Sequence, residues 1–379
     1  MTRLALLVNM IAPYRVPVYQ RLGEAFDLMI FHGGQEGNRS AWKSPESELS
    51  NVQVKQSWGV KFSFYKKDAQ GKVFDRKFIH ITPGYLWDLI RSSPDVVISN
   101  EMGFRSAIAL FYALLFRKPI WIWSGVTCQS EQAVGRGKRM IRLLFAKSSC
   151  RWISYGHAAT EYLQTLGVSL ARIVQIQNCV DERLYQKHTE SSLQLSPKPV
   201  LLYVGQLIRR KGVAQLLEAV RKLQQQGHRF SVLLVGSGES DEFQNYVAQH
   251  QLENVHFLGS HSPEELLGIY RSANFLIFPT LEDIWGLVVN EALWSGLPVL
   301  ASTYAGCARE ILPPDNLFDP HCSDSIVQAL TKALTGQIAP ADVSVLWTHD
   351  QVAQKIIDDI HQTVSRPAIF SPLSDTVKS

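Results

Sequence analysis

The sequence predicts an α/β protein of two doubly wound domains, each built on a parallel β-sheet. Its 379 residues suffice for two domains of ordinary size. Short apolar runs rich in Val, Ile and Leu alternate with longer amphipathic segments, which is typical of parallel strands covered by helices on both faces. A polar segment, HTESSLQLSPKP from His188, has no helical or alternating apolar period and predicts a linker between the halves.

These observations set the expected domain boundaries. We predict a first domain over 1–187, a linker over 188–198 and a second domain over 199–345. A helix over 346–366, which could cross back to the first domain, and a loose tail over 367–379 complete the chain. Two such domains would leave a cleft between them. Because ligands of doubly wound sheets bind beyond the carboxyl ends of the strands, functional residues are expected just after each strand.

The apolar runs predict the individual elements. Strands of the first half are predicted at Leu4–Asn9, Leu28–Phe31, Asp95–Ser99, Pro119–Trp123, Trp152–Ser154 and Ile173–Ile176. Strands of the second half are predicted at Val200–Val204, Ser231–Val235, Val255–Phe257, Phe275–Phe278 and Pro298–Ala301. The clearest helical periods lie at Val213–Gln226, Pro263–Arg271, Leu287–Trp294 and Asp324–Leu334.

Composition excludes several classes of protein. With 38 Lys and Arg against 34 Asp and Glu, the net charge of +4 is too small to indicate a nucleic-acid partner. The five cysteines are widely spaced, which excludes a zinc ribbon, a CxxC redox pair and a disulfide scaffold. The most apolar stretch, Ala107–Phe116, is about half as long as a membrane-spanning helix. We therefore expect a cytoplasmic protein, whose first apolar run is a strand and not a signal peptide.

The first motif is YVGQLIRRKGV, Tyr203–Val213. A strand ends at Gly205, a loop carries Arg209, Arg210 and Lys211, and a helix then begins. Three cations before a helix N-terminus conflict with the helix dipole, which favours anions there. A phosphate bound between them would resolve the conflict, and a solvated basic loop is the equally weighted alternative.

The second motif is LEDIWGLVVNEAL, Leu281–Leu293. Glu282 and Asp283 occupy a loop after a buried strand, and Gly286 precedes a helix that contains Glu291. Asp283 and Glu291 are eight residues apart, so both can face one groove. Taken singly, Asp283 could be a helix cap and Glu291 a surface residue.

Backbone groups of this motif also have a predicted role. Gly286 would let a ligand approach the main chain closely. The free N–H groups of Leu287 and Val288, in the first turn of the helix, would then point at that ligand.

Two segments of the first half supply acceptor-side candidates. In NMIAPYRVPVYQRL, the residues Pro13, Tyr14 and Arg15 follow the first strand, and Arg15 is expected at the carboxyl edge of the first sheet. Glu131 follows the predicted strand PIWIW. A surface arginine is an equally good interpretation of Arg15 from this segment alone.

A basic, apolar stretch runs from Gly135 to Arg151. Its six cations are Arg136, Lys138, Arg139, Arg142, Lys147 and Arg151. Its apolar residues are Met140, Ile141, Leu143, Leu144 and Phe145. The stretch could form an interfacial helix on anionic lipid, or a core helix with a basic outer face.

The turn LLVGSGES, Leu233–Ser240, has only two of the three glycines of a dinucleotide-binding turn. We predict a plain strand-to-helix connection here. A nicotinamide-dependent oxidoreductase is thereby disfavoured.

The second half as a whole resembles glycosyltransferase family 4. The strings GQLIRRKGV, LLVGSGE, HFLGS, LEDIWGLVVNEAL and YAGCAREIL occur in the order and spacing of that family. PYRVPVY near the start and QNCVDERLY before the linker are also similar to it. The resemblance implies the GT-B fold, with two Rossmann-like domains, and sugar transfer from a nucleotide-diphosphate sugar with retention of configuration.

The resemblance also implies roles for single residues. The family's E-x7-E motif falls on Asp283 and Glu291, so Asp283 would meet the donor sugar and Glu291 the ribose hydroxyls. The family's basic pair on the diphosphate falls on Gln206 and Lys211. Because Gln206 replaces an arginine, Arg209 or Arg210 would supply the missing charge.

Asp283 is one methylene shorter than the family's glutamate, and Glu282 beside it is an alternative. The amides of Gly286, Leu287 and Val288 would hold the diphosphate.

These residues predict catalysis without a metal. Lys211, an arginine and helix amides can stabilise the charge of a departing nucleotide diphosphate. The chain contains no D-x-D triplet, so no metal and no cofactor are expected. The resemblance to family 4 implies an acceptor that is a glycan or lipid-linked, at the inner face of a bacterial membrane. A sugar-nucleotide epimerase of the same fold and a degenerate transferase in polysaccharide assembly remain alternatives.

Overall fold

A computed structural model of the chain describes residues 1–36, 45–67, 71–132, 134–148, 150–188, 193–238 and 240–365. The chain forms two compact units. Within the described residues, the first unit combines Met1–Phe64, Lys77–Asn178 and the segment from Trp347 onward. The second combines Tyr65–Arg76 with Cys179–Leu346.

The first half of the chain contributes a parallel sheet and a separate hairpin. Its strands are β1 Arg3–Val8, β2 Asp27–His32, β3 Gln53–Gln56, β4 Val60–Lys67, β5 Val73–Ile81, β6 Val96–Asn100, β7 Ile120–Ser124, β8 Arg151–Tyr155 and β9 Ile173–Ile176. Seven of these described strands form one parallel sheet in the order β3-β2-β1-β6-β7-β8-β9. The strand order reverses between β1 and β6, which makes this pair the topological switch point of the sheet.

Helices cover the first sheet because its strands are apolar on both faces. They are α1 Val16–Ala25, α2 Gly84–Ser92, α3 Phe104–Phe116, α4 Arg136–Lys147 and α5 Gly156–Thr165. The last helix of the chain, α13 His349–Val364, also belongs to this unit and packs on α1. Trp121 of β7 donates its indole N–H to Asp359 of α13 over 2.7 Å, which ties the helix to the sheet.

The second half repeats the architecture on a smaller scale. Its described strands are β10 Val200–Val204, β11 Ser231–Val235, β12 Val255–Gly259, β13 Phe275–Phe278, β14 Val299–Ser302 and β15 Leu317–Phe318. They form a parallel sheet in the order β12-β11-β10-β13-β14-β15, so its switch point lies between β10 and β13. Its helices are α6 Glu182–Tyr185, α7 Val213–Gln225, α8 Ser240–Gln249, α9 Pro263–Ser272, α10 Leu287–Trp294, α11 Ala308–Ile311 and α12 Ser323–Leu334.

The strands and helices predicted from apolar periodicity all lie within two residues of those found, and α10 has the predicted bounds. Periodicity missed β3, the short β15 and the hairpin β4–β5. The hairpin strands were missed because their side chains are mostly exposed or half-exposed, so they carry no buried apolar run.

The division into units differs from the predicted domain boundaries in two places. The chain passes from the first unit to the second after Asn178, before the predicted linker, and the hairpin residues Tyr65–Arg76 belong to the second unit. Of the predicted linker, residues 189–192 lie outside the described part, as does the predicted tail over 367–379. No helix in the described segments is long and apolar enough to cross a membrane.

Candidate functional site

The candidate donor site lies at the switch point of the second sheet. β10 ends at Val204 and is followed by the turn Arg209–Lys211, whereas β13 ends at Phe278 and is followed by Glu282 and Asp283. Because β10 and β13 are neighbours, the two loops emerge side by side at the carboxyl edge. The sheet topology thus brings together two motifs that are 72 residues apart in sequence.

Lys211 and Asp283 form the centre of this site. The Lys211 ammonium pairs with Oδ2 of Asp283, and Oδ1 accepts a hydrogen bond of 3.2 Å from the backbone N–H of Trp285. Desolvation raises the pKa of Asp283, but the charges of Lys211 and Arg210 outweigh it and the pKa is lowered. Desolvation also lowers the pKa of Lys211, and Asp283 offsets only part of this effect. Lys211 and Asp283 therefore form an ion pair in a partly dehydrated environment.

Two glycines shape the loops of this site. Gly212 precedes α7 with φ of +73°, and a Cβ there would collide with the carbonyl oxygen of Pro279 in the neighbouring loop. Gly286 precedes α10 with φ of +102°, and its Cβ would lie 2.5 Å from the ring of Phe278, at the end of β13. Both positions need a positive φ and no side chain, and a larger residue at Gly212 would push the two loops apart.

Arg210 joins the Lys211–Asp283 pair. Its guanidinium lies 3.1 Å from Oδ2 of Asp75, on the hairpin, and donates to the carbonyl oxygen of Glu282 over 2.8 Å. The charge of Arg210 acts on the pKa of both Asp283 and Lys211. Arg210 is therefore part of the same electrostatic group as the central pair.

Arg209 faces a different way. It pairs with the carboxylate of Glu242 on α8, which also accepts a bond of 2.7 Å from Lys72. Of the two arginines that the sequence left open, the geometry favours Arg210 as the neighbour of Lys211.

Glu282 and Glu291 occupy separate surroundings. Glu282 lies 3.4 Å from the ammonium of Lys66 on the hairpin. Glu291 accepts a hydrogen bond of 2.7 Å from the hydroxyl of Tyr270, and Tyr185 is also hydrogen-bonded to it. Burial raises the pKa of Glu291, and the two tyrosine hydroxyls lower it by less. Glu291 is thus a partly desolvated carboxylate on α10, and the groups that most affect its pKa are two tyrosine hydroxyls.

The remaining donor-side candidates lie near the same edge of the sheet. Gly205 follows β10 directly, and the carbonyl oxygen of Gln206 accepts a bond of 2.7 Å from Tyr203. Leu287 and Val288 lie in the first turn of α10, where backbone N–H groups have no acceptor within the helix. None of these residues is tested directly, and their roles toward a donor stay predictions.

The acceptor-side candidates belong to the first unit. Pro13, Tyr14 and Arg15 form a single turn between β1 and α1, and Arg15 is buried, which corrects its interpretation as a surface arginine. Glu131 is paired with Lys138 at 3.0 Å and with Arg142 at 3.2 Å. Burial raises the pKa of Glu131, but these cations outweigh it and lower the pKa. Its contacts anchor α4, and its acceptor-side role stays a prediction.

The basic stretch from Gly135 to Arg151 differs from the expectation in two of its six cations. Arg142 is buried against Glu131 and the carbonyl oxygen of Met102, and Arg151 opens β8, where it pairs with Asp359. Both therefore have structural partners. The other four cations are exposed, and so are three apolar residues of α4: Met140, Ile141 and Leu144.

Four residues of the candidate site had not been singled out from the sequence: Asp75, Glu242, Tyr185 and Tyr270. The first two come from the hairpin and α8, and no local pattern links them to the arginines. Tyr185 lies within QNCVDERLY, one of the strings that resembles family 4, so a signal for it existed. Tyr270 is an ordinary apolar position of α9, and only the packing places its hydroxyl beside Glu291.

Comparison with protein families gives a match over the second half. Residues 186–344 match the family described as glycosyl transferases group 1. The matched range includes Lys211, Asp283 and Glu291, but not the hairpin or Tyr185. A relative from Salmonella typhimurium, lipopolysaccharide 1,2-N-acetylglucosaminetransferase, is 30% identical over 176 residues. That match covers 41% of this chain and 46% of the relative.

A second relative is the lipopolysaccharide glucosyltransferase WaaG of Escherichia coli. It is 30% identical over 142 residues, 36% of this chain and 37% of the relative. The matched segment thus spans less than half the length of these curated relatives.

Solved structures match the whole chain at low identity. Alr3699/HepE of Anabaena, solved in complex with UDP-glucose, gives a TM-score of 0.68 at 16% identity, covering 96% of this chain and 100% of that chain. Sucrose-phosphate synthase from Thermosynechococcus elongatus gives 0.67 with the same identity and coverage. The likeness confirms the predicted fold class, GT-B with two Rossmann-like parallel-sheet units.

Proposed function

We propose that this protein is a retaining glycosyltransferase of family 4, which moves a sugar from a nucleotide-diphosphate sugar to a glycan or lipid-linked acceptor. The observation that carries the proposal is the group formed by Lys211, Arg210 and Asp283 beside the first turn of α10. Cations and helix amides at a switch point are the arrangement that binds a diphosphate. The family match over 186–344 supports the same conclusion.

In this proposal the donor diphosphate binds between Lys211 and the amides of Leu287 and Val288. Its negative charge replaces Asp283 as the partner of the Lys211 ammonium and releases the carboxylate toward the donor sugar. Glu291 accepts hydrogen bonds from the ribose hydroxyls. A desolvated carboxylate next to two tyrosine hydroxyls is well suited to this task, because charged acceptors form the stronger hydrogen bonds.

The chemistry needs no protein base in this scheme. As the bond between the sugar and the diphosphate breaks, negative charge develops on the leaving phosphate, and Lys211, Arg210 and the α10 amides stabilise it. The leaving phosphate accepts the proton of the attacking hydroxyl. The oxygen of that hydroxyl adds to the face of the sugar from which the phosphate leaves. Retention follows from attack on that face. The stabilising charges all belong to the chain, so the reaction is proposed to be independent of metal.

The names of the relatives suggest the class of acceptor. Two of them act on lipopolysaccharide, and others are D-inositol 3-phosphate glycosyltransferases from Corynebacterium. By analogy we place this protein in bacterial envelope polysaccharide synthesis, with the acceptor reached at the inner face of the membrane.

Peripheral binding to an anionic membrane surface is a further part of the proposal. Helix α4 exposes Met140 and Leu144 at 63% and 64% of their surface. Exposed Arg136, Arg139 and Lys147 accompany them on the same helix. An amphipathic helix of this kind binds through its apolar side chains and through attraction of its cations to anionic headgroups.

The proposal is tested with a panel of UDP-, GDP- and ADP-sugars. A donor that binds only the folded protein raises the midpoint of thermal unfolding with the logarithm of its concentration. The stabilising donor is then incubated with candidate acceptors, and NMR of the product identifies the anomer. Retention of the donor's configuration supports the proposal. An inverted product or an epimerised donor would refute it, and a stabilising donor without transfer to any acceptor would favour a degenerate transferase.

A further inference from the structure

Arg15 is a buried cation with unusual neighbours. It follows β1 at the switch point of the first sheet, and only 5% of its surface is exposed. Its guanidinium carbon lies 4.4 Å from the ring centre of Trp123, 4.8 Å from that of Tyr155 and 5.3 Å from that of Tyr14. The three rings hold the guanidinium in place by cation–π contacts.

Within the part of the chain that the structure describes, no acid neutralises this cation. Among the described residues Arg15 forms no ion pair, and its Nε has no hydrogen-bond partner although it is buried. The indole N–H of Trp123, which is also buried, lacks a partner as well. Buried donors without acceptors are rare in native proteins, because each costs the desolvation of a polar group.

A second buried arginine adds to the positive charge. Arg105, 7% exposed, donates from Nε to the carbonyl oxygen of Asn100 over 3.1 Å and from Nη1 to the side-chain oxygen of Asn9. Both acceptors are neutral. Burial raises the pKa of Tyr19 to about 12, and Arg15 and Arg105 both lower it in part, so the two cations share one neighbourhood.

The local backbone strengthens the positive field. Arg15 directly precedes α1, whose first turn contains no acidic residue. The N-terminus of a helix carries partial positive charge, so an anion would be attracted from both sources. The position is also where doubly wound sheets bind ligands, just beyond the carboxyl ends of the strands that flank the switch point.

We infer that Arg15, caged by Tyr14, Trp123 and Tyr155, binds an oxyanion, a phosphate or a carboxylate, carried by the acceptor of the proposed transfer. That the anion belongs to an acceptor rests on the proposed function. That Arg15 binds an anion rests on the first unit alone. Cation–π contacts hold Arg15 ready without neutralising it, and a planar guanidinium can then donate two parallel hydrogen bonds to the oxyanion. The acceptor is accordingly an anionic glycan or a phosphate-linked one, and not a neutral sugar.

The test measures anion binding directly, by calorimetry and thermal unfolding, with inorganic phosphate, glucose 1-phosphate, glucuronate and neutral glucose. The variants are Arg15→Met, which keeps the volume but removes the charge, and Arg15→Lys, which keeps the charge but loses the planar fork. The matched control is Arg91→Met, at an exposed arginine on α2 of the same unit. Lys211→Ala serves as a background without the proposed donor-site cation.

We expect glucose 1-phosphate or glucuronate to bind wild type, Arg91→Met and Lys211→Ala alike, and Arg15→Met at least tenfold more weakly. Arg15→Lys should fall between them, and glucose should not bind. The preference between phosphate and carboxylate identifies the anionic group. Without anion, Arg15→Met should be at least as stable as wild type, because it removes an unneutralised buried charge.

Equal anion affinity of wild type and Arg15→Met would overturn the inference. So would loss of anion binding in Lys211→Ala, since the anion would then occupy the donor site. If Arg15→Met does not fold, Arg15→Lys provides the test. An unchanged anion affinity of Arg15→Lys would overturn recognition of the oxyanion by a planar guanidinium. Nucleotide binding to the full chain is measured separately and depends on residues of the second unit. A failure of anion binding at Arg15 therefore leaves the proposed transferase function intact. Conversely, anion binding at Arg15 in a protein that binds no nucleotide sugar would refute only the proposed function.

Discussion

The two switch points of this protein carry basic residues in opposite surroundings. At the second, each cation has an acid of the protein as its partner: Lys211 with Asp283, and Arg210 with Asp75. At the first, Arg15 is enclosed by aromatic rings, with no ion pair among the described residues. The positions in the two sheets are equivalent, so the contrast comes from the side chains and not from the fold.

The difference shows two ways to keep a cation ready for an anionic ligand. An internal carboxylate satisfies the charge and must be exchanged when the ligand binds, which fits a ligand of high charge such as a diphosphate. An aromatic cage fixes the guanidinium but leaves its charge available, which fits a ligand with one or two charges.

Lys211→Ala should lower turnover at least a hundredfold. The ammonium would stabilise charge on the leaving phosphate, and loss of one such contact typically costs about 3 kcal/mol of transition-state stabilisation. The matched control is Lys222→Ala, at a lysine on α7 that pairs with Asp324 at 3.5 Å. Initial rates with the donor found in the panel provide the measurement. A Lys211→Ala enzyme as fast as the control would remove Lys211 from the reaction.

Replacing Arg136, Arg139 and Lys147 by Ser should weaken binding to anionic vesicles about a hundredfold. None of the three forms an ion pair within the described segments, and each cation near such a surface contributes about 1 kcal/mol at modest salt. Sedimentation with vesicles containing anionic lipid, at two salt concentrations, measures the effect, which should shrink as salt rises. Nucleotide affinity should not change. If wild type does not sediment with the vesicles at low salt, α4 is only a solvated helix.

Arg210→Ala should weaken binding of the nucleotide diphosphate about tenfold, the effect of losing one charge-assisted hydrogen bond. Arg209→Ala is a matched neighbour, because Arg209 pairs with Glu242 and lies outside the Lys211–Asp283 group. Its effect should be less than twofold. Calorimetry of both variants decides between the two arginines, and a larger loss in Arg209→Ala would reverse the assignment.

Glu291→Gln should weaken nucleotide binding about fivefold, since a neutral amide accepts hydrogen bonds from ribose less well than a carboxylate. It should also change how stability depends on pH. The folded state raises the pKa of Glu291, so wild type loses stability as pH rises from the ordinary glutamate value through the raised one. The Glu291→Gln variant lacks this loss, so its stability should rise relative to that of wild type across that pH range. Urea unfolding at a series of pH values tests it; parallel curves would contradict the burial of charge at Glu291.

EDTA should leave activity unchanged, the smallest effect of the five. The charges proposed to stabilise the leaving group all belong to the chain, and D-x-D is absent from its sequence. Rates are compared before and after dialysis against EDTA, with magnesium or manganese added back. A loss of activity that either metal restores would require a different account of leaving-group stabilisation.

The sequence by itself determined most strands of the two parallel sheets, and it placed Lys211 and Asp283 in loops after two of these strands and Glu291 on a helix. Apolar strands buried on both faces have a strong local pattern, and strand-to-loop transitions place functional residues at the carboxyl edge. The motifs around Lys211 and Asp283 could be recognised because each occupies one short segment. The hairpin β4–β5 was not recognised, because its strands are mostly exposed or half-exposed and carry no continuous buried apolar run.

Only the tertiary structure decided which charges are neutralised. Arg15 and Arg209 are both arginines in loops after a first strand, and their local sequences do not show that one is caged by aromatic rings while the other pairs with Glu242. The partners come from strands and helices up to about 140 residues away, so they depend on how the sheet orders its strands. Electrostatic environment is a property of all the neighbours of a group, and a linear sequence specifies them only through the fold.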